Sequence, residues 1–181
     1  MANDSVITLH KTLATSFFCG SISLLDTDTF VVSTIKDTRP VGTIDVHGNE
    51  GEIQHKLLPD KTYRSTWESC CAYIPSTKTV VLTDRDQHTV YMCDISSSNG
   101  RVIKNDKICS PRGVCAGPGG TVFVCNRDTD SVVQLSPHGD VLASHSVNVE
   151  IPYNVSVSKD NTRLILSNAA GKTMIKLFSI V

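Results

Sequence analysis

No apolar run in this 181-residue sequence approaches the roughly 20 residues that a membrane span requires. The amino terminus, Met1-Ala2-Asn3-Asp4-Ser5, lacks the basic region and apolar core of a signal peptide, so the chain is expected in the cytoplasm. Seven cysteines are present, at positions 19, 70, 71, 93, 109, 115 and 125. The number is odd and no C-x-x-C pair occurs, so neither a disulfide framework nor a zinc site is expected. Charge of one sign is lacking too. The formal net charge of −1 gives no general pull towards nucleic acid or membrane. Tryptophan occurs once, as Trp67, and Glu68 follows it, which argues against repeats of the WD type. No helical period and no heptad pattern is evident. In Thr173–Phe178, for example, Thr173, Ile175 and Leu177 alternate with Met174, Lys176 and Phe178 in the manner of a strand. Asn3-Asp4-Ser5 and Asn154-Val155-Ser156 match the glycosylation pattern, but the expected location sets them aside.

What the sequence does contain is short strands in series. From Ser110 to Val147 the apolar runs Gly113–Ala116, Thr121–Cys125 and Ser131–Leu135 are separated by turns at Gly117–Gly120 and Asn126–Asp130. A weaker run, Asp140–Val147, follows the turn Ser136–Gly139. Four antiparallel strands in a row make one propeller blade. The unit recurs. Phe30–Thr34, Val80–Asp84, Val122–Asn126 and Leu164–Asn168 are versions of one strand, beginning 50, 42 and 42 residues apart. A period near 40 with four strands in each period predicts a β-propeller, an all-β fold, with the surplus in the first period inserted at Leu58–Glu68.

One domain is expected over 1–181, with blades at about 19–57, 71–107, 112–147 and 153–178. A lone strand over 4–11 is expected to complete the last blade, which otherwise has three strands, because closure removes an unpaired edge. A bare blade face would leave several aliphatic side chains in water, at about 1.5–3 kcal/mol each. The expectation is therefore a closed ring of four blades, or pairing of the open faces with another copy or with blades of a longer chain.

Ser110-Pro111-Arg112-Gly113-Val114, Thr121 to Asn126, Ser131 to Ser136 and Gly139 together resemble an NHL repeat, and Pro152-Tyr153-Asn154-Val155 is the counterpart in the fourth blade. Asn154 stands where that family prefers glycine. The likeness spans nearly the whole chain and is best in the third blade. More narrowly, the chain resembles the carboxy-terminal propeller of tripartite-motif proteins, whose RING finger, B-box and coiled coil have no counterpart in this sequence. The resemblance implies a recognition platform for a protein or for RNA, linked to substrate recruitment in ubiquitination. It implies no catalysis by the propeller itself and no cofactor.

Propellers bind at the end formed by the loops between second and third strands and between blades. Lys36, Arg64, Arg85, Arg112, Arg127 and Lys172 are the candidate partner-binding residues of that end. Acidic neighbours such as Asp84, Asp86 and Asp128 balance them, so a protein partner is expected ahead of RNA. The alternative is a metal-dependent propeller hydrolase or lactonase. It would use Asp84, Asn126 and Asn168, which recur at one blade position with Thr34 in the first blade. Side chains of that kind at strand ends ordinarily bond their own turn backbone.

Overall fold

A computed structural model of the chain describes residues 9–35, 41–52, 69–97, 99–171 and 174–180. Among the described residues every regular element longer than a single 3-10 turn is a strand. The first blade is β1 (Phe18–Leu24), β2 (Thr29–Ile35), β3 (Val41–Asp45) and β4 (Glu50–Glu52). The second is β5 (Cys71–Ile74), β6 (Thr79–Asp84), β7 (Thr89–Asp94) and β8 (Asn99–Lys104). The third is β9 (Pro111–Ala116), β10 (Val122–Asn126), β11 (Ser131–Leu135) and β12 (Val141–Ser146). The fourth is β13 (Pro152–Val157), β14 (Arg163–Asn168) and β15 (Ile175–Ser179). Each sheet is antiparallel and each strand pairs with the next in sequence, so the four sheets are the four blades of a β-propeller.

The inner strands touch in chain order, β1 against β5, β5 against β9 and β9 against β13. This order gives every blade one face towards its predecessor and one towards its successor. The alternation of each strand decides which side chain goes where. Along β6, Val80 and Leu82 pack on the first blade while Val81 packs on the third. Along β10, Val122 and Val124 pack on the second blade while Phe123 and Cys125 pack on the fourth. Both faces of these strands are covered, which is why they read as continuous apolar runs and not as alternating ones.

Polar latches join the blades. The Cys71 amide donates to Ser21 Oγ at 2.7 Å and the Tyr73 amide to Ser23 Oγ at 3.0 Å, tying β5 to β1. Ser33 Oγ donates to the Ser69 carbonyl at 3.1 Å, on the chain entering the second blade.

Strand ends differ from the expectation where side chains cap turns. The last strand of the second blade begins at Asn99, paired with Asp94, and stops at Lys104. It stops because Asn105 Oδ1 accepts the Lys107 amide at 3.0 Å and the Asn105 carbonyl accepts the Ile108 amide at 2.9 Å, which turns the chain. Of the lone strand expected over 4–11, residues 4–8 lie outside the described residues, and Leu9, His10 and Lys11 are irregular. Leu13 and Phe17, further along, lie on the first blade, where Phe17 packs with Val32 and Ile44. Among the described residues the fourth blade keeps three strands. The expected insertion at Leu58–Glu68 lies outside the described residues.

Gly113 is a point of close backbone approach between the third and fourth blades. A Cβ there would meet Asn154 Cα at 2.5 Å and the Tyr153 carbonyl oxygen at 2.6 Å, both backbone atoms. Gly113→Ala is expected to cost about 1–3 kcal/mol in urea denaturation through forced backbone separation. Gly171→Ala, with nothing within 4 Å of the added carbon, should change stability by less than about 0.5 kcal/mol.

Candidate functional site

The antiparallel order brings to one end of the propeller the β6–β7 turn, the β10–β11 turn and the segments that lead into β9 and β13. Ser110 is the hub of this end. It is buried and has φ +49°. Its amide donates to His88 Nδ1 at 2.9 Å, and its Oγ donates to Asp128 Oδ2 at 2.5 Å. Its carbonyl accepts the Arg127 amide at 3.2 Å. Because His88 Nδ1 accepts, the proton of the neutral ring sits on Nε2, pointing away from this bond. His88 itself has φ +51°, fixed by the turn in which its amide donates to the Arg85 carbonyl at 3.2 Å. One serine thus joins the turns of two blades.

The next blade repeats the device with other side chains. Ile151 precedes Pro152 as Ser110 precedes Pro111, and it too is left-handed, with φ +52°. Its amide donates to Asp130 Oδ1 at 2.9 Å, and its carbonyl accepts the Ala169 amide at 3.0 Å. A β-branched residue rarely adopts such a φ. The carboxylate of Asp130 and the backbone of the adjoining turn hold it there.

Three of the six candidate partner-binding residues fall on this end. Arg127 pairs with Asp128 across 3.5 Å, and both are part-exposed. Arg112 is buried, with its guanidinium over the Tyr153 ring at 5.1 Å. Arg85 lies in the same turn as His88. Lys36, Arg64 and Lys172 lie outside the described residues. Sequence reasoning placed none of His88, Ser110, Asp128 and Tyr153 among the candidate partner-binding residues, although Asp128 entered as an acidic neighbour and Ser110 and Tyr153 as parts of the repeat motif. The sequence signal at Ser110 is its place before a proline that opens a strand of the repeat.

The repeated polar position has a clear local role. Asn126 is fully buried. Its Oδ1 accepts the Cys109 amide at 3.3 Å, and its Nδ2 donates to the Lys107 carbonyl at 2.5 Å and to Ser131 Oγ at 3.3 Å. Asp84 Oδ1 accepts the Gln87 amide at 3.0 Å, and Asn168 Oδ1 accepts the Met174 amide at 2.7 Å. Asp84 and Asn168 hold their own turns, whereas Asn126 ties the crossing chain to its blade.

Between the inner strands lies a cavity of about 320 Å³, whose lining includes Ser21, Ser23, Tyr73, Cys115 and Asn154. All seven cysteines are thiols, three of them buried. Burial pushes Cys93 and Cys115 up to about 12, and it raises Cys71 and Cys125 as well. Among the described residues no helix is long and apolar enough to cross a membrane.

No protein-family model matches the chain, and no curated protein matches it in sequence. Solved structures do match in fold. A hydrazine synthase chain from Kuenenia stuttgartiensis superposes with a TM-score of 0.71 at 16% identity, covering 96% of this chain and 49% of its own. A chain of a nidogen/laminin complex gives 0.68 at 16% identity, with 88% and 59% covered. Virginiamycin B lyase from Staphylococcus aureus gives 0.63 at 13% identity, with 88% and 55% covered. The chain spans about half the length of these propellers.

Three outcomes follow. Asn126→Asp removes two donor bonds and buries a carboxylate against the Lys107 carbonyl. It should cost about 1–3 kcal/mol or more in urea denaturation. The raised thiols favour the folded state fully below the unfolded thiol range near 8.5. That contribution is lost as pH rises towards 12. A pH series of melting temperatures should therefore fall above about pH 9. A thiol reagent at neutral pH should label exposed Cys19 first and reach Cys71, Cys93 and Cys125 only on unfolding.

Proposed function

We propose that this propeller is a non-catalytic recognition platform for a protein partner, docking at the end built around Ser110. The observation that carries the reading is the fixed constellation of Arg127, Asp128, Arg112 and Tyr153 on interlocked blade ends. Arginine and tyrosine are the residue types that anchor protein interfaces. Side chains already held by neighbours lose little freedom when a partner arrives. Arg127 is matched by the Asp128 carboxylate and Arg112 by the Tyr153 ring, which suits a partner with its own paired charges better than a polyanion. That balance puts RNA second. Lys36, Arg64 and Lys172, outside the described residues, are the other candidates that the sequence offers for such an end. The propeller of the nidogen/laminin complex, a fold neighbour seated in a protein complex, is in keeping with this use of the fold.

The likeness to NHL propellers of tripartite-motif proteins deepens the reading. On that likeness the platform recruits substrates for a ubiquitin ligase whose catalytic parts lie elsewhere, in the cytoplasm that the amino-terminal sequence led us to expect. The alternative, a metal-dependent hydrolase, would need Asp84, Asn126 and Asn168 to point their donors at a shared ion. Asn126 instead spends both its oxygen and its amide nitrogen on the chain around it.

The test is affinity capture from cytoplasmic extract, repeated after nuclease treatment. Wild type is compared with Arg127→Glu and with a control on an outer strand, Leu142→Ser. The expected result is a nuclease-resistant protein partner whose recovery falls at least about tenfold with Arg127→Glu, the loss typical of one anchor residue, and is unchanged in the control. Recovery that is indifferent to Arg127→Glu, or that vanishes with nuclease, would sink the proposal.

A further inference from the structure

The second and third blades each have a neighbour on both sides within the chain, so the groove between them has both of its walls in place. Its mouth lies at the end of the propeller opposite Ser110, where the β7–β8 and β11–β12 turns reverse the chain. The third blade's turn is docked closely on the second blade. Gly139 has φ +91°, and a Cβ there would meet Ile103 Cδ1 at 2.7 Å. Ser136 locks the same turn. Its Oγ accepts the His138 amide at 3.1 Å and the Asp140 amide at 3.0 Å, and donates to Asp140 Oδ2 at 2.9 Å. The His138 carbonyl is thereby fixed, and Arg101 Nη1 donates to it at 2.8 Å, across the groove. Arg101 and His138 border two cavities, of about 310 Å³ and about 580 Å³.

The smaller cavity is lined by charges of both signs, Asp94 and Arg101. They share one face of the second blade, because Asp94 pairs with Asn99 and Met92 with Arg101 in the β7–β8 ladder. Diagonal neighbours on such a face lie about 7–8 Å apart, within reach of long side chains. Yet neither is in an ion pair among the described residues. Arg101 turns to the third blade instead. Asp94 is held by the hydroxyls of Ser96 and Ser97, which donate to Oδ1 and Oδ2 at 2.6 Å each. These bonds hold its carboxyl well below the usual carboxylate range, so it is charged. Oδ2 accepts that one bond and has a lone pair to spare. Thr77, on the wall of the same cavity, has a buried Oγ1 with no hydrogen-bond partner among the described residues. Met92 and Pro137 add apolar wall.

We infer that this cavity binds a small zwitterion, a free α-amino acid with an apolar side chain. Its carboxylate pairs with the guanidinium N–H groups of Arg101 that His138 does not use. Its ammonium donates to Asp94 Oδ2, and its side chain lies on Met92 and Pro137. An anion alone would leave Asp94 unmatched, and a cation alone would leave Arg101 unmatched, so the site selects a ligand that carries both charges. The volume is at the small end of the roughly 300–1,000 Å³ typical of ligand pockets, which fits so small a ligand. The inference does not rest on the partner-binding end proposed above, which is formed by other turns.

Titration of the purified chain with leucine and with methionine, followed by backbone amide NMR shifts, decides it. Saturable shifts are expected at Asp94, Asn99, Arg101 and His138. N-acetyl-leucine lacks the ammonium and leucinamide lacks the carboxylate. Each should bind at least about tenfold more weakly, the loss that one charge-assisted contact carries. Arg101→Gln and Asp94→Asn should weaken leucine binding by a similar factor with the cooperative melt retained, since Arg101 is exposed and Asp94 part-exposed. The two analogues test the same contacts in the unaltered chain. No saturable shift with either amino acid up to about 10 mM would overturn the inference. So would analogues that bind as well as leucine, or leucine binding indifferent to Arg101→Gln or to Asp94→Asn.

Discussion

No blade of this propeller can bury both of its faces by itself, and the rest of the structure follows from that constraint. An isolated antiparallel sheet of three or four short strands has little apolar area to set against the entropy of ordering its backbone. Here Val80 and Leu82 are buried by one neighbour and Val81 by the other, within three consecutive residues. The same arrangement holds at Val122, Phe123 and Val124. Strands buried on both sides must be apolar at every position, so side-chain size and branching carry the specificity. The polar groups that do latch the blades sit at a few positions inside strands, such as Ser21 and Ser33, and at strand ends and crossings.

Those latches shape the candidate binding end. The two left-handed residues that lead into β9 and β13, Ser110 and Ile151, are costly conformations held by hydrogen bonds from adjacent blades. Strain held this way keeps the turns in one arrangement. Arg127, Asp128 and Tyr153 inherit that rigidity because they lie on the same turns or next to the same prolines. A surface intended for recognition gains from being set before its partner arrives.

The repeat was legible because its apolar strands recur at nearly even spacing and its turns carry glycine and proline where the chain reverses. Strand positions in the third blade followed to within a residue or two, whereas the second blade, expected to end at about 107, ends with β8 at Lys104. There, side-chain caps move the boundary in a way that apolar period cannot report. The binding end was legible only in part. Arg112 read as an exposed charge at a turn, yet its place beside Pro111 at the start of an inner strand buries it under Tyr153, a residue 41 positions away. His88 and Ser110 are joined by a bond from a ring nitrogen to a backbone amide, which leaves no spacing pattern in a sequence. The coverage of the first blade by Phe17 was equally hidden, since nothing in Ser16-Phe17-Phe18 tells which phenylalanine turns inward.

Contacts between blades are almost all between neighbours in sequence, which has a consequence for how the chain unfolds. Stability in such an array is close to a sum of unit terms and neighbour terms. The second and third blades each have two neighbour terms within the chain. Backbone amides in β6 and β10, covered on both sides, are therefore expected to be among the slowest to exchange with solvent.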